Sequence, residues 1–326
     1  MQRRRLGRTG LTTSVLGYGA GAVGGLMVRG SEADQERAIA RAVELGINYI
    51  DTAPSYGAGE SERNLGRVLG KLKPDIVLGT KVRLPPDLGR GDLGAAIAAS
   101  MDESLRRLGR DHVDLFQLHN SITAAGGGST LSADIVLDDV RAALERLRQQ
   151  GKTRFIGITA NGETAALHKV VDAGAFDTAQ VVYNMLNPTA GGAPPQGMPG
   201  QDYERLLEHT RRADMGVIGI RALAGGALSG SEARHPVGIP AVDPIGSGPS
   251  YAADAARARQ FEALVREGHA DGLIALALRF VIASPDMTTM LVGTSTLDEL
   301  EIAARAVAAG PLSAEALERV AVVAEG

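Results

Sequence analysis

Asp51-Thr52-Ala53-Pro54-Ser55-Tyr56-Gly57-Ala58-Gly59-Glu60 is the stretch that decides how this chain is read. The apolar run Ile47-Asn48-Tyr49-Ile50 before it has the length of a strand and delivers Asp51 to the strand's carboxyl end. Pro54 stops the strand, Gly57 and Gly59 permit a tight turn, and 60–69 carries the pattern of a helix. A carboxylate and a phenol therefore stand five residues apart on the loop that follows a strand. In an α/β barrel that loop lies on the catalytic face. Taken alone, Asp51 is an ordinary turn-former and Tyr56 an ordinary loop side chain.

The same strand-then-helix unit recurs in both directions. Strands are expected at 14–17, 47–50, 76–80, 113–118, 155–159, 178–182, 216–220 and 288–292. Helices are expected at 32–45, 60–69, 93–108, 138–149, 163–173, 203–214, 252–267, 273–283 and 297–309. Ser31 with Asp34 caps the first helix, and Gly46, Gly109 and Gly151 stand where helices end. The strands are apolar throughout rather than alternating, as in a parallel sheet buried on both faces. Leu6-Gly7-Arg8-Thr9-Gly10-Leu11 reads as the turn of a small hairpin before the first unit. Eight units in 326 residues predict an α/β fold, a (β/α)8 TIM barrel with an N-terminal β-hairpin, as a single domain over 1–326. Three segments, 120–136, 187–200 and 222–250, are too long for plain connectors. Each follows a strand, so these long loops at the C-terminal face are expected to form binding walls or mobile lids.

Composition removes several classes of function. The absence of cysteine excludes disulfides, zinc thiolates and cysteine nucleophiles. A net charge of −4 offers no basic surface for nucleic acid. No apolar run reaches the ~18–20 residues that cross a bilayer, so no membrane association is expected. No apolar segment follows the basic start Arg3-Arg4-Arg5, so a signal peptide is not expected and a cytoplasmic location is. Gly19, Gly21 and Gly24 satisfy the dinucleotide pattern G-x-G-x-x-G, but that pattern needs a helix to open at once. Here the helix is expected only after Ser31, and the segment reads as a glycine-rich barrel loop.

Four polar residues fall at or just past the carboxyl ends of successive strands: Asp51 and Tyr56, then Lys81, then His119. In a parallel barrel those ends converge on one mouth. Singly, Lys81 is a surface amine and His119 a turn residue; together the four suit proton donation to a carbonyl. A phenol with a pKa near ~10 is a poor acid at neutral pH, and an adjacent ammonium favours the phenolate. Asp51 would keep Lys81 charged and oriented, and a neutral His119 would donate a hydrogen bond to the carbonyl oxygen. None of the four supplies electrons, so a hydride donor is implied. No metal ligand cluster or flavin signature is present, which leaves nicotinamide as the natural candidate.

With these residues in view, the chain resembles the aldo-keto reductases over nearly its whole length. The matching segments are Leu6 to Leu11, Asp51-Thr52-Ala53 through Tyr56-Gly57 and Glu60, Lys81, and Asp114-Leu115-Phe116-Gln117-Leu118-His119. The resemblance implies a (β/α)8 barrel that binds NAD(P)H without a Rossmann domain. It also implies that Tyr56 is the proton donor, supported by Asp51, Lys81 and His119. For the cofactor it implies contacts from Ala20, Gly21 and Asp51, from Thr159 and Asn161, and from Gln180, which resembles the family's carboxamide-binding glutamine. After the seventh strand it implies Ile220, Arg221, Leu223 and Gly225; Ile220 replaces the ring-stacking aromatic, and Arg221 approaches the pyrophosphate. Val292 to Leu300 resembles the adenosine-binding turn and helix, with Thr294, Ser295 and Glu299 as contacts. The Lys and Arg that hold a 2′-phosphate in many members fall at Gly293 and Glu299 here, so NADP(H) is favoured by family habit and NAD(H) stays open.

Three functions follow as expectations. The first is a reductase passing hydride between NAD(P)H and an aldehyde, ketone or sugar carbonyl. The second runs the chemistry in reverse, as an NAD-dependent aldose or sugar dehydrogenase. The third, of another class, is a nucleotide-binding regulatory subunit with little turnover. The partner expected in the first two is a small carbonyl compound or sugar; oligomeric state is not legible in the sequence.

Overall fold

The computed structural model describes residues 1–325. Eight parallel strands close into a barrel: β1 (Leu16–Gly19), β2 (Tyr49–Asp51), β3 (Val77–Val82), β4 (Val113–Leu118), β5 (Thr153–Ala160), β6 (Thr178–Val182), β7 (Gly216–Ile220) and β8 (Thr289–Val292). Each strand pairs with its neighbours in sequence, and β8 pairs with β1. The expected (β/α)8 barrel is thus the observed fold. Arg3–Arg5 and Thr12–Ser14 form the antiparallel hairpin, joined by a turn at Gly7–Thr9.

The barrel has two apolar regions because its strands have two faces. Outward side chains such as Ile50, Leu78, Phe116, Ile158 and Val181 pack against the helices in one large cluster. Inward side chains Tyr49, Val77, Leu115 and Ile218 form a second cluster, closed at the amino-terminal end by Leu6 from the hairpin. Gly216 makes that plug possible: a Cβ there would lie 2.6 Å from Leu6 Cγ. Above this apolar layer the inward positions turn polar, with Asp51, Lys81, Gln117 and Gln180 all buried. That change of layer positions the site.

Helix starts follow local chemistry. Ser31 accepts the Asp34 amide and opens Glu32–Glu44, and Thr296 accepts the Glu299 amide and opens Leu297–Ala308. Several expectations change. A one-turn helix, Leu26–Arg29, precedes Ser31, so the first β/α loop is less irregular than its glycines implied. The helix expected at 138–149 begins earlier, at Ala133, because Ser132 caps it; a five-residue turn at Val136–Val140 then leads into Arg141–Gln149. The helix expected at 252–267 divides at Phe261 into Tyr251–Gln260 and Glu262–Arg266. A final helix, Ala314–Glu325, was not expected; Ser313 Oγ accepts the Ala316 amide at its start.

Candidate active site

The strand ends of β2, β3 and β4 bring the four sequence candidates together. Lys81 sits on β3 with its ammonium wholly buried, paired with Asp51 Oδ1 and donating to Thr52 O at 2.8 Å. The same Nζ donates to the Tyr56 hydroxyl at 3.2 Å and lies 4.9 Å from the centre of that ring. The His119 ring stands edge-on to Tyr56, with centroids 5.9 Å apart. The loop that carries Tyr56 is fixed from below: Thr52 N donates to Gly79 O, and the Thr52 and Ser61 hydroxyls are 2.8 Å apart.

Asp51 has more partners than the sequence indicated. Its Oδ2 accepts from the Tyr49 hydroxyl at 2.9 Å, from Gln180 Nε2 at 2.9 Å and from Gln117 Nε2 at 3.3 Å. Gly79 leaves the room this needs, since a Cβ there would meet the Tyr49 hydroxyl at 2.9 Å and Asp51 Oδ2 at 3.2 Å. Tyr49 and Gln117 went unnoticed in the sequence. Period-two counting back from Asp51 and from His119 puts both on the inward face, and that signal would have found them.

Burial and charge set the protonation states. Burial works to lower Lys81, but the Asp51 carboxylate, helped by Tyr56, outweighs it and raises Lys81 above its ordinary value. Burial, then the charges of Lys81 and Arg83, push His119 down to about 3, so the imidazole is neutral at neutral pH. Its Nδ1 is buried without a hydrogen-bond partner. Burial first, and then the charge of Asp51, hold the Tyr49 phenol well above its ordinary value, so it stays a donor.

A cavity of about 490 Å³ opens above this cluster. Tyr56, His119 and Asp51 form its floor, while Lys81 lies beneath the surface, in contact with Tyr56 but not with the cavity. Gly21, Thr159, Asn161, Gln180, Ile220, Arg221, Leu223, Gly225, Thr294, Ser295 and Glu299 all reach the wall. Ala20 does not: it is 1% exposed, its amide donates to Asp51 O and its carbonyl accepts from Ser61 Oγ. Both of its backbone groups are thus used within the scaffold, and only its methyl is left for a ligand. The side chains of three wall residues are already engaged. Gln180 donates to Asp51, Asn161 Nδ2 donates to Ser121 Oγ at 2.9 Å, and Arg221 Nη1 donates to Asp243 O at 3.1 Å.

The wall also holds groups not singled out from the sequence, among them Val23, Arg83, Arg234 and Tyr251. Of the long loops, 222–250 supplies much of the wall and 120–136 supplies Ser121. The loop 187–200 supplies none; Asn187 ties it to Gln201 O and Gly246 O on the flank. Gly24, the last glycine of the discounted pattern, does a packing job. A Cβ on it would fall 2.4 Å from Thr294 N, so the β1 loop closes on the β8 loop only because Gly24 has none. Ser295 Oγ then donates to Gly24 O at 2.6 Å. At the same end Glu299 Oε2 accepts the Ser295 amide at 2.6 Å.

Among the described residues no cluster of His, Asp or Glu has the arrangement to hold a metal ion. No described helix is long and apolar enough to cross a membrane.

Relatives of this chain share both its sequence and its shape. It is 29% identical over 309 residues to L-galactose dehydrogenase of Arabidopsis thaliana, covering 92% of this chain and 86% of that one. It is 25% identical over 328 residues to L-glyceraldehyde 3-phosphate reductase of Escherichia coli K12, covering 92% and 86%. The holo form of aldo-keto reductase AKR11C1 from Bacillus halodurans superposes with a TM-score of 0.72 at 26% identity, covering 99% of this chain and 96% of that one. The model of the Aldo/keto reductase family matches residues 15–325. That match runs from just before the first barrel strand to the last helix, and on that ground the chain belongs to the aldo/keto reductase family of oxidoreductases.

Proposed function

We propose that this chain is a single-domain, cytoplasmic NAD(P)-dependent oxidoreductase that interconverts an aldehyde, ketone or sugar carbonyl and its alcohol, with Tyr56 as the proton donor. One observation carries the reading: the Tyr56 hydroxyl faces the cavity 3.2 Å from a buried ammonium that Asp51 holds charged. A hydroxyl so placed donates its proton to an oxygen entering from above, and Lys81 stabilises the charge left behind. The His119 ring lines the cavity with its Nδ1 buried and unpartnered. With His119 neutral, the ring contributes a hydrogen bond without competing for the transferred proton.

The wall residues fit a nicotinamide dinucleotide. The bound cofactor would supply or accept the hydride. Thr159, Asn161 and Gln180 stand near the reacting end, Ile220 offers an apolar face for a ring, Arg221 and the glycine turn at Gly225 suit a pyrophosphate, and Thr294 to Glu299 suit an adenosine. Contacts by Asn161, Gln180 and Arg221 require each to exchange or share its present partner.

A second reading, an NAD-dependent sugar dehydrogenase, has its own support. The Glu299 carboxylate is held on the wall by the Ser295 amide, where it would repel a 2′-phosphate. This observation weighs against the family preference for NADP(H). The test is Tyr56→Phe, assayed on an aldehyde panel and on aldoses with both cofactors. A fall in kcat of about 100-fold or more supports Tyr56 as the acid. Undiminished turnover sinks that assignment, and failure of the unmodified protein to turn over any of the panel favours the regulatory, non-catalytic alternative.

A further inference from the structure

Three arginines line the cavity, and they differ in one respect. Arg221 is tied to Asp243 O, and Arg234 to Ile239 O, Gly225 O and Val23 O. Arg83 is exposed, and among the described residues its side chain makes no hydrogen bond or ion pair. It follows the last residue of β3 and stands two residues beyond Lys81, so by the strand's alternation it leaves the backbone on the side of the barrel mouth. The barrel order sets β3 opposite β7, so Arg83 borders the cavity across from Arg221 to Gly226; its other side lines a surface pocket with Pro54 and Pro85. It is therefore on the side away from the turn that suits a pyrophosphate.

The charges around it are not balanced. Asp51 and Glu299 are the carboxylates on the cavity wall. Both oxygens of Asp51 are engaged beneath the floor, and Glu299 sits at the far end on the Ser295 amide. Arg83 is near enough to His119 for its charge to act on that ring. Ser121 lines the same cavity, and its Oγ accepts from Asn161, which leaves the hydroxyl hydrogen free to donate. A cation and a hydroxyl donor thus border the place where the non-reacting end of a substrate would lie.

We infer that Arg83, on the same wall as the Ser121 hydroxyl, is the specificity-determining group of this site and receives an anion on the substrate, a carboxylate or phosphate on the far side of its carbonyl. The inference rests on the proposal that Tyr56 serves a carbonyl. Guanidinium recognises both anions through paired N–H donors, so the shared chemistry is an acidic carbonyl compound.

The experiment compares two matched pairs with both nicotinamide cofactors: 4-carboxybenzaldehyde against 4-formylbenzamide, and glyceraldehyde 3-phosphate against glyceraldehyde. The first pair reports carboxylate, the second phosphate. The expected result is an anion-to-neutral ratio of kcat/KM of about tenfold or more in one pair. Arg83→Gln should lower that ratio by a similar factor, mainly through KM; Arg83→Lys should recover part of it, and Arg83→Glu should reverse it. If the unmodified protein treats both pairs alike, or Arg83→Gln leaves the ratio within about twofold, the inference is overturned. A flat ratio with neutral aldehydes turned over, and lost in Tyr56→Phe, overturns the role of Arg83 alone. No turnover of any of the four compounds overturns both the inference and the proposal beneath it.

Discussion

Replacing His119 by Gln should make the protein less sensitive to acid. The imidazole is pushed down to about 3, first by burial and then by the charges of Lys81 and Arg83. In an unfolded chain the same group titrates near ~6.5. Between those two values the unfolded chain binds a proton that the folded one refuses. Stability from this group is therefore complete above the unfolded value and is lost as pH falls from there toward the folded one. Relative to pH 7.5, the loss is about 0.8 kcal/mol at pH 6 and about 2 kcal/mol at pH 5. Glutamine keeps a polar side chain of similar reach and does not titrate, so it removes this dependence whatever constant offset it adds. The assay is urea unfolding of both proteins at the three pH values, read as midpoint and slope. The stability difference between the two proteins should shift by about 2 kcal/mol in favour of His119→Gln from pH 7.5 to pH 5. Stability curves that run parallel, with the difference constant to about 0.5 kcal/mol, would show that His119 is not held neutral by its surroundings.

Two further outcomes follow from the same geometry. Lys81→Met leaves Asp51 charged and buried with its amide and phenol donors only, and should destabilise the protein by about 3 kcal/mol or more; adding Asp51→Asn should recover at least half of that loss in thermal or urea unfolding without restoring activity, and a double variant no more stable than Lys81→Met would refute the ion-pair account. Glu299→Gln removes a negative charge from the wall where the 2′-phosphate of NADP(H) would sit, and should raise the NADPH-to-NADH ratio of kcat/KM by about tenfold; a ratio that does not move places Glu299 away from the discriminating contact.

The architecture was legible because it depends on local signals repeated many times. β4, β6 and β7 begin and end at the residues expected from their apolar runs. Boundaries slipped where the signal was a cap inside a loop: Ser132 started a helix ahead of its apolar pattern, and Ser313 started one after the last expected element. Four candidate site residues could be placed because each lies at or just past the end of a strand, and a parallel barrel gathers strand ends at one mouth. The position of Ala20 beside the mouth gave no hint that both its backbone groups are used by Asp51 and Ser61.

By itself, then, the sequence determined the alternation of elements, the parallel barrel and the set of polar residues at its carboxyl end, because all three are written in local spacing. Only the tertiary structure decided which of those groups touch. That Lys81 reaches both Asp51 and Tyr56, that Tyr49 and two glutamines converge on one carboxylate, and that Arg83 alone among the wall arginines lacks a partner all depend on side chains from different strands. Burial and charge act on those groups through distance in space, and separation along the chain carries no record of it.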